Sequence, residues 1–294
     1  MKLGVGFWSG ANVGDPLALI ARLQAIGVEG CGMVPEGDYT PEQITALRSS
    51  FAEAGLFLGE YTMYGAGWPL ASESAAARRD GVTHIQRHLQ HCADLGVHCL
   101  GLSVITDEPG DLWNEDVWTR LVGGFAELMP EAERLGVDIT LHPGNRGPLD
   151  SPSQLRRLLD QVASPRLKVM LDPVNMTNHR VVRNYTDFLN YCFDEVGDSI
   201  VGAHAKDVRF DDTHWVTKID EMPPGSGLID YEVYLKRLAA LDTDIIFTIE
   251  HLRDIGVSGT VASPVFHYFG TDHELTRARN YIHEVAGRIG VEIG

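Results

Sequence analysis

Four stretches of the chain share one pattern of polar and apolar positions: "AIGVEGCGMV" (25–34), "EAGLFLGEYTMY" (53–64), "DLGVHCLGLSV" (94–104) and "RLGVDITLH" (134–142). In each, a mixed polar and apolar helical pattern stops at a glycine, at Gly27, Gly55, Gly96 or Gly136, and a short apolar run follows at once. Glycine closes a helix there because it adopts the left-handed backbone of a C-terminal cap without steric cost. Each stretch is therefore a helix-to-strand joint. The alternation continues through "LKVMLDP" (167–173), "SIVGAHAKDV" (199–208) and "DIIFTIEHL" (244–252), and "LGVGFW" (3–8) brings the strands to eight. The intervening patterns predict helices near 15–26, 41–54, 72–94, 114–135, 151–163, 184–196, 230–240 and 271–286. "SPSQLRRLL" illustrates one start, with Ser151 as a cap and Pro152 in the first helical position.

Strands that are apolar along their whole length suit a parallel sheet covered on both faces. Eight βα units close to the usual span of ~250 residues suit a closed barrel. The expected fold is α/β, a (β/α)8 TIM barrel in one domain over residues 1–294. A doubly wound open sheet is the alternative, but no GxGxxG joins the first strand to its helix, and "SGANVG" has the wrong spacing. The longest loops fall near 105–113, 174–183, 208–229 and 253–270, all after strands, and in a barrel they gather at the C-terminal face where active sites sit.

Composition narrows the functional classes. With 24 basic against 41 acidic residues, the net charge of −17 repels phosphate polymers and anionic membrane surfaces, so neither nucleic acid nor membrane is expected as a partner. The four cysteines, Cys31, Cys92, Cys99 and Cys192, form no CxxC pair and read as small core residues. The N-terminal "MKLGVGFWSGANVGD" lacks a sustained apolar segment, and no stretch is apolar enough to span a bilayer, which points to the cytoplasm.

Candidate chemistry sits at strand ends. His142 ends "DITLH", Asp172 ends "KVMLD", His204 lies in "VGAHAKD" and Glu250 ends "FTIE", each one βα unit from the next, the last lengthened by a loop. Carboxylates and neutral imidazoles at the edge of an apolar barrel need compensation, and one divalent cation would serve all four. The alternative is four separately hydrogen-bonded polar residues. Recurrence on four successive strands favours the metal site. Two nitrogens and two oxygens suit Mn²⁺, Zn²⁺, Co²⁺ or Fe²⁺ better than Mg²⁺, with Mn²⁺ the first choice.

The motifs "LHPGN", "LDPVN", "HAKDVR", "PPGSGLIDY" and "IEH" give most of the chain, its second half above all, a resemblance to the xylose isomerase-like barrels. That family includes sugar epimerases, hydroxypyruvate isomerase, inosose dehydratase and apurinic endonuclease. The resemblance implies that Asp172, His204 and Glu250 are metal ligands and that Glu250 also moves a proton. There is one departure. Many epimerases and isomerases of the family carry, where this chain has His142, a Glu that is both ligand and one of two proton-transfer carboxylates. "HP" at this strand end is instead similar to the dehydratase-like branch.

The implied enzyme removes the proton next to the carbonyl of a keto sugar or cyclitol through a metal-stabilised enediolate. Elimination of a β-oxygen substituent, by dehydration or cleavage of an oxidised glycoside, is the preferred outcome, and isomerisation or epimerisation is the alternative. Glu250 is the expected base, with His142 as a proton relay if it is not a ligand. The candidate acids are Lys206, His179 and His251; Lys206 lies two residues beyond His204 and so on the same side of the strand, but it could instead pair with Asp207 or another acidic neighbour. Asn175 either binds a substrate hydroxyl or forms an Asx turn. Glu60 reaches the mouth or pairs with an arginine. Trp8, Tyr64, Trp68 and Trp113 could cover a sugar ring, and Arg146 and Arg209 could grip an anionic group, although no phosphate loop is present. More distant readings are an apurinic-type nuclease, which the charge opposes, and a barrel that binds sugar or a partner subunit without catalysis. Homo-oligomers are common among such barrels, and no interface is identified by the sequence.

Overall fold

The computed structural model describes residues 1–294 except 8–14, 34–38, 107–111, 212, 214, 242–243 and 251–271. The strands are, in chain order, β1 (Lys2–Phe7), β2 (Gly30–Met33), β3 (Phe57–Met63), β4 (Cys99–Ser103), β5 (Asp138–His142), β6 (Leu167–Leu171), β7 (Ile200–Ala205), β8 (Asp207–Asp211), β9 (Lys218–Met222) and β10 (Ile246–Ile249). Eight of them close a parallel barrel in the order β1-β10-β7-β6-β5-β4-β3-β2, while β8 and β9 form a separate antiparallel hairpin. The helices α1 (Pro16–Ile26), α2 (Pro41–Ala54), α3 (Ala75–Leu95), α4 (Glu115–Leu135), α5 (Pro152–Val162), α6 (Tyr185–Val196), α7 (Tyr231–Ala239) and α8 (Asp272–Ile289) alternate with the barrel strands. This is the expected (β/α)8 barrel.

The punctuation works as the sequence implied. Gly27, Gly55, Gly96 and Gly136 all cap their helices with φ between +70° and +81°. Thr40 and Gln43 close a reciprocal capping box at the start of α2. Ser151 does stand at the N-cap of α5 with Pro152 behind it, but its hydroxyl makes no capping bond and lies 3.3 Å from the Ser153 hydroxyl instead.

Alternation along the strands divides two environments. One set packs outward on the helices: Tyr61 bonds His88 of α3 at 2.7 Å, and Phe247 meets Tyr234 of α7 edge to face. The other set fills the barrel and is far less apolar than the strand runs suggest. Thr62, Gly101 and Thr140 share one level across β3, β4 and β5; Ser103 then pairs with His142, and Thr248 with His204. All four cysteines are buried thiols.

The segment 208–229, expected to be loop, carries the β8–β9 hairpin. Val208 stands opposite Glu221 and Phe210 opposite Ile219, so a half-buried alternation too short to stand out is stabilised by pairing. The fixing element is Asp207, buried at the start of β8. Its carboxylate accepts from the backbone N–H of Val208 (2.8 Å), Gly225 (3.0 Å), Gly227 (2.9 Å) and Ile229 (3.0 Å), tying "PPGSGLI" to the end of β7. The charge is held by dipoles rather than by a cation. Replacing Asp207 with Asn turns an amide N–H₂ toward these donors; Asp207→Asn is expected to lower stability to urea by ~2–4 kcal/mol, and an unchanged unfolding midpoint would refute this account of the loop.

Candidate active site

Strands β3, β5, β6, β7 and β10 deliver Glu60, His142, Asp172, His204 and Glu250, from within the strand or at its end, to one buried cluster, each 3% exposed or less. His204 is its hub. Its Nδ1 donates to Asp172 Oδ2 at 3.0 Å and lies 3.3 Å from Glu250 Oε2, while Nε2 donates to Glu60 Oε2 at 3.3 Å. Lys206, two residues on and on the same side of the chain, reaches Asp172 at 2.9 Å, Asn175 at 3.1 Å and Glu250 at 3.4 Å. Its ion pair is thus with Asp172, not with Asp207. Tyr64 donates to Glu250 Oε1 at 3.3 Å, and Thr62 donates to Glu60 at 2.6 Å.

Room for these side chains comes from glycines on adjacent strands. A Cβ on Gly101 of β4 would overlap His142 Nε2, one on Gly32 of β2 would lie 2.9 Å from Glu60 Cγ, and one on Gly6 of β1 would lie 3.0 Å from Glu250 Cγ. Each long polar side chain leans across a neighbour that has none.

Burial and mutual charge decide the protonation states. Burial raises the Glu60 carboxyl, but His204 and His142, with the Thr62 hydroxyl, outweigh it and hold it at about 2. Asp172 follows the same balance, with Lys206 and His204 keeping it far below the usual carboxylate range. Burial lowers His204, yet Glu250, Glu60 and Asp172 raise it well above an ordinary histidine. His142 is pulled down to about 4 by burial, opposed by Glu60, and stays neutral. Burial raises Glu250 against the pull of His204 and Lys206.

Above the cluster lies a cavity of about 370 Å³ with Tyr64, His142, Asn175, Lys206, Ile219 and Glu221 among its lining residues. Asn175 does not make the Asx turn itself: Asp172 does, accepting from the Asn175 N–H at 3.1 Å, while the Asn175 carbonyl holds Lys206. Arg146 reaches the cavity rim. Other residues singled out from the sequence do not line it. His179 is exposed on the loop after β6. Arg209 points outward on the hairpin, 3.6 Å from Asp220, because β8 alternates and Val208 takes the inward side. Trp113 is 51% exposed with its indole N–H on Asp150, and Trp68 packs on the core. Trp8 and His251 lie outside the described residues. Glu221 was missed altogether, since its place depends on a hairpin that was not foreseen.

Residues 20–278 match the family model described as xylose isomerase-like TIM barrel. The chain belongs to that family. It is 22% identical over 296 residues to the inosose dehydratase of Glaesserella parasuis serovar 5 (strain SH0165), covering 91% of this chain and 89% of the relative. Among solved structures, the D-psicose 3-epimerase of Clostridium cellulolyticum H10 superposes with a TM-score of 0.75 at 19% identity, covering 99% of this chain and 100% of the other. The IOLI protein with a bound zinc atom superposes with a TM-score of 0.70 at 16% identity, over 98% and 99% of the two chains. These relatives match the expectation of an enzyme. Among the described residues, no helix is long and apolar enough to cross a membrane.

The donor set of this xylose isomerase-like barrel fits a divalent cation. Glu60, His142 and His204 offer atoms within 4.8 Å of one another, as do Asp172, His204 and Glu250. His142 Nε2 is buried and has no hydrogen-bond partner among the described residues, the state of an imidazole nitrogen available for ligation. Asp172→Ala and His204→Ala are each expected to abolish tight metal binding in a folded barrel, and Gly101→Ala to weaken it ~10–100-fold by displacing His142. Metal content by mass spectrometry checks all three; unchanged stoichiometry in both ligand variants would refute the site.

Proposed function

We propose that this protein is a divalent-metal-dependent lyase acting on a small keto sugar or cyclitol, removing the proton next to the carbonyl and expelling a β-oxygen substituent. The observation that carries the reading is Glu250, a buried carboxyl directly behind two residues of the cavity lining, with Tyr64 on one oxygen and His204 and Lys206 near the other. His142, Asp172, His204 and Glu250 would hold the metal, with Glu60 beside them. When bound, the cation supplies a Lewis acid that polarises the substrate carbonyl and lowers the cost of the charge left by the departing proton. The mixed nitrogen and oxygen set suits Mn²⁺, the proposed ion, or Zn²⁺, which the IOLI neighbour carries.

The chain's own groups divide the remaining work. Burial makes Glu250 a stronger base than an ordinary carboxylate, and the Tyr64 hydroxyl fixes its orientation. Lys206, held by Asp172 and Asn175, places a positive charge at the floor where negative charge gathers. His142 favours elimination over epimerisation. Epimerisation needs a second base on the opposite face of the carbon, and a buried imidazole pulled down to about 4 is a poor one. The match to inosose dehydratase agrees with this choice. Sugar isomerase or epimerase remains the second reading, favoured by the structural likeness to D-psicose 3-epimerase.

Proton NMR in D₂O separates the two, using Mn²⁺-loaded enzyme, with the metal removed before acquisition, and a panel of ketoses, inososes and 3-oxo-glycosides. Loss of the β-oxygen with an enone product supports the lyase; deuterium entering an intact skeleton overturns it in favour of the isomerase. Glu250→Gln, which keeps an oxygen ligand but accepts no proton, is expected to lose ~10²–10⁴-fold in turnover while retaining metal. Near-normal turnover would remove Glu250 from the base role.

A further inference from the structure

Elimination needs a proton for the departing oxygen, and the geometry points to Glu221 of β9 as the group that donates it. This assignment rests on the lyase reading above. Among the described residues lining the cavity, the ionisable ones are Tyr64, His142, Arg146, Lys206 and Glu221. Tyr64 gives its O–H to Glu250, and His142 Nε2 is buried against Gly101 of β4. Arg146 carries a permanent charge. Lys206 Nζ is engaged by Asp172, Asn175 and Glu250 at 2.9, 3.1 and 3.4 Å. Glu221 remains.

Its placement follows from the hairpin. On β9, Ile219 and Glu221 face the cavity, whereas Asp220 on the other side lies 3.6 Å from Arg209 and 3.1 Å from Lys218. The Glu221 side chain is 27% exposed, open to the cavity and to exchange with solvent. Among the described residues, the charged groups facing it include Lys206, 3.9 Å away beyond β7, with Asp172 beyond β6, Glu250 beyond β10 and His204 of β7 behind. Burial raises its carboxyl, Lys206 lowers it, and Asp172 and Glu250 raise it again, to about 7. A carboxylic acid poised there still carries its proton near neutral pH.

The step balances without a further reactant. Glu250 takes the proton from the carbon next to the carbonyl, and that C–H pair becomes the new C=C bond. The bond from the β-carbon to oxygen breaks with its pair on oxygen, which receives the Glu221 proton. Products are an enone and an alcohol, with Glu221 left as carboxylate and Glu250 protonated, and solvent resets both.

The test uses the full-length Mn²⁺-loaded enzyme with phenyl and 4-nitrophenyl 3-oxo-β-glucosides, following both release of the phenol and exchange of the C2 hydrogen in D₂O. Glu221→Gln is expected to slow elimination of phenol at least ~100-fold, to slow 4-nitrophenol less than ~10-fold because that group leaves without help, and to keep C2 exchange. The retained exchange shows a folded site, and Glu221→Asp should recover part of the phenol rate. Wild-type phenol release should fall as pH rises through the Glu221 titration, and that limb should vanish in Glu221→Gln. Independently of turnover, ¹³C NMR of Zn²⁺-loaded protein labelled at the glutamate carboxyls should show a resonance titrating above the ordinary glutamate range that Glu221→Gln removes. Equal losses on both glucosides, or an unchanged phenol rate, overturn Glu221 as the donor while leaving the lyase reading intact. Wild-type enzyme that neither exchanges nor eliminates these probes overturns that reading and this assignment together.

Discussion

Three carboxylates, two imidazoles and an ammonium group share the floor of a barrel from which water is largely excluded. Charges buried at that density are stable only if each is answered by another at bonding distance. His204 supplies most of the answer, since its two ring nitrogens face three acids, and Lys206 supplies the rest. A divalent cation would take over the same balance more strongly, so the cluster reads as an arrangement for holding positive charge. The apolar outer faces of the strands, packed on the helices, keep this polar interior in register.

The cavity above inherits its character from that floor. Glu250 lies beside the metal-type donors and, through its bond with Tyr64, close behind the open space. The opposite wall is supplied by a hairpin that does not belong to the barrel sheet at all. Chemistry on one side is therefore set by strand ends, and on the other by an appended element whose position is imposed by the backbone bonds to Asp207.

These two origins explain what the sequence disclosed. The helix-closing glycines and the polar residues ending β5, β6 and β10 are local signals, readable wherever an apolar run stops. Glu60 was legible only as a possibility because it lies inside "LGEYTMY" rather than at its end, and its direction depends on which face of β3 turns inward. Glu221 gave no signal, because a single acid in "KIDEM" acquires meaning only once Val208 is known to stand opposite it. His179 and Arg209 followed the right segments but the wrong faces. Side-chain direction in those loops is decided by alternation and turn geometry that spacing alone does not contain.

Gly6, Gly32 and Gly101 carry no chemistry, yet each lends the volume its own side chain would have filled to a functional group on the next strand. Scaffold and site thus draw on the same space. An added methyl at one of these positions presses first on Glu250, Glu60 or His142, a polar side chain of the cluster, rather than on packed hydrocarbon. The tolerance of the barrel for a side chain at these three places is therefore set by the polar cluster and not by the hydrocarbon core.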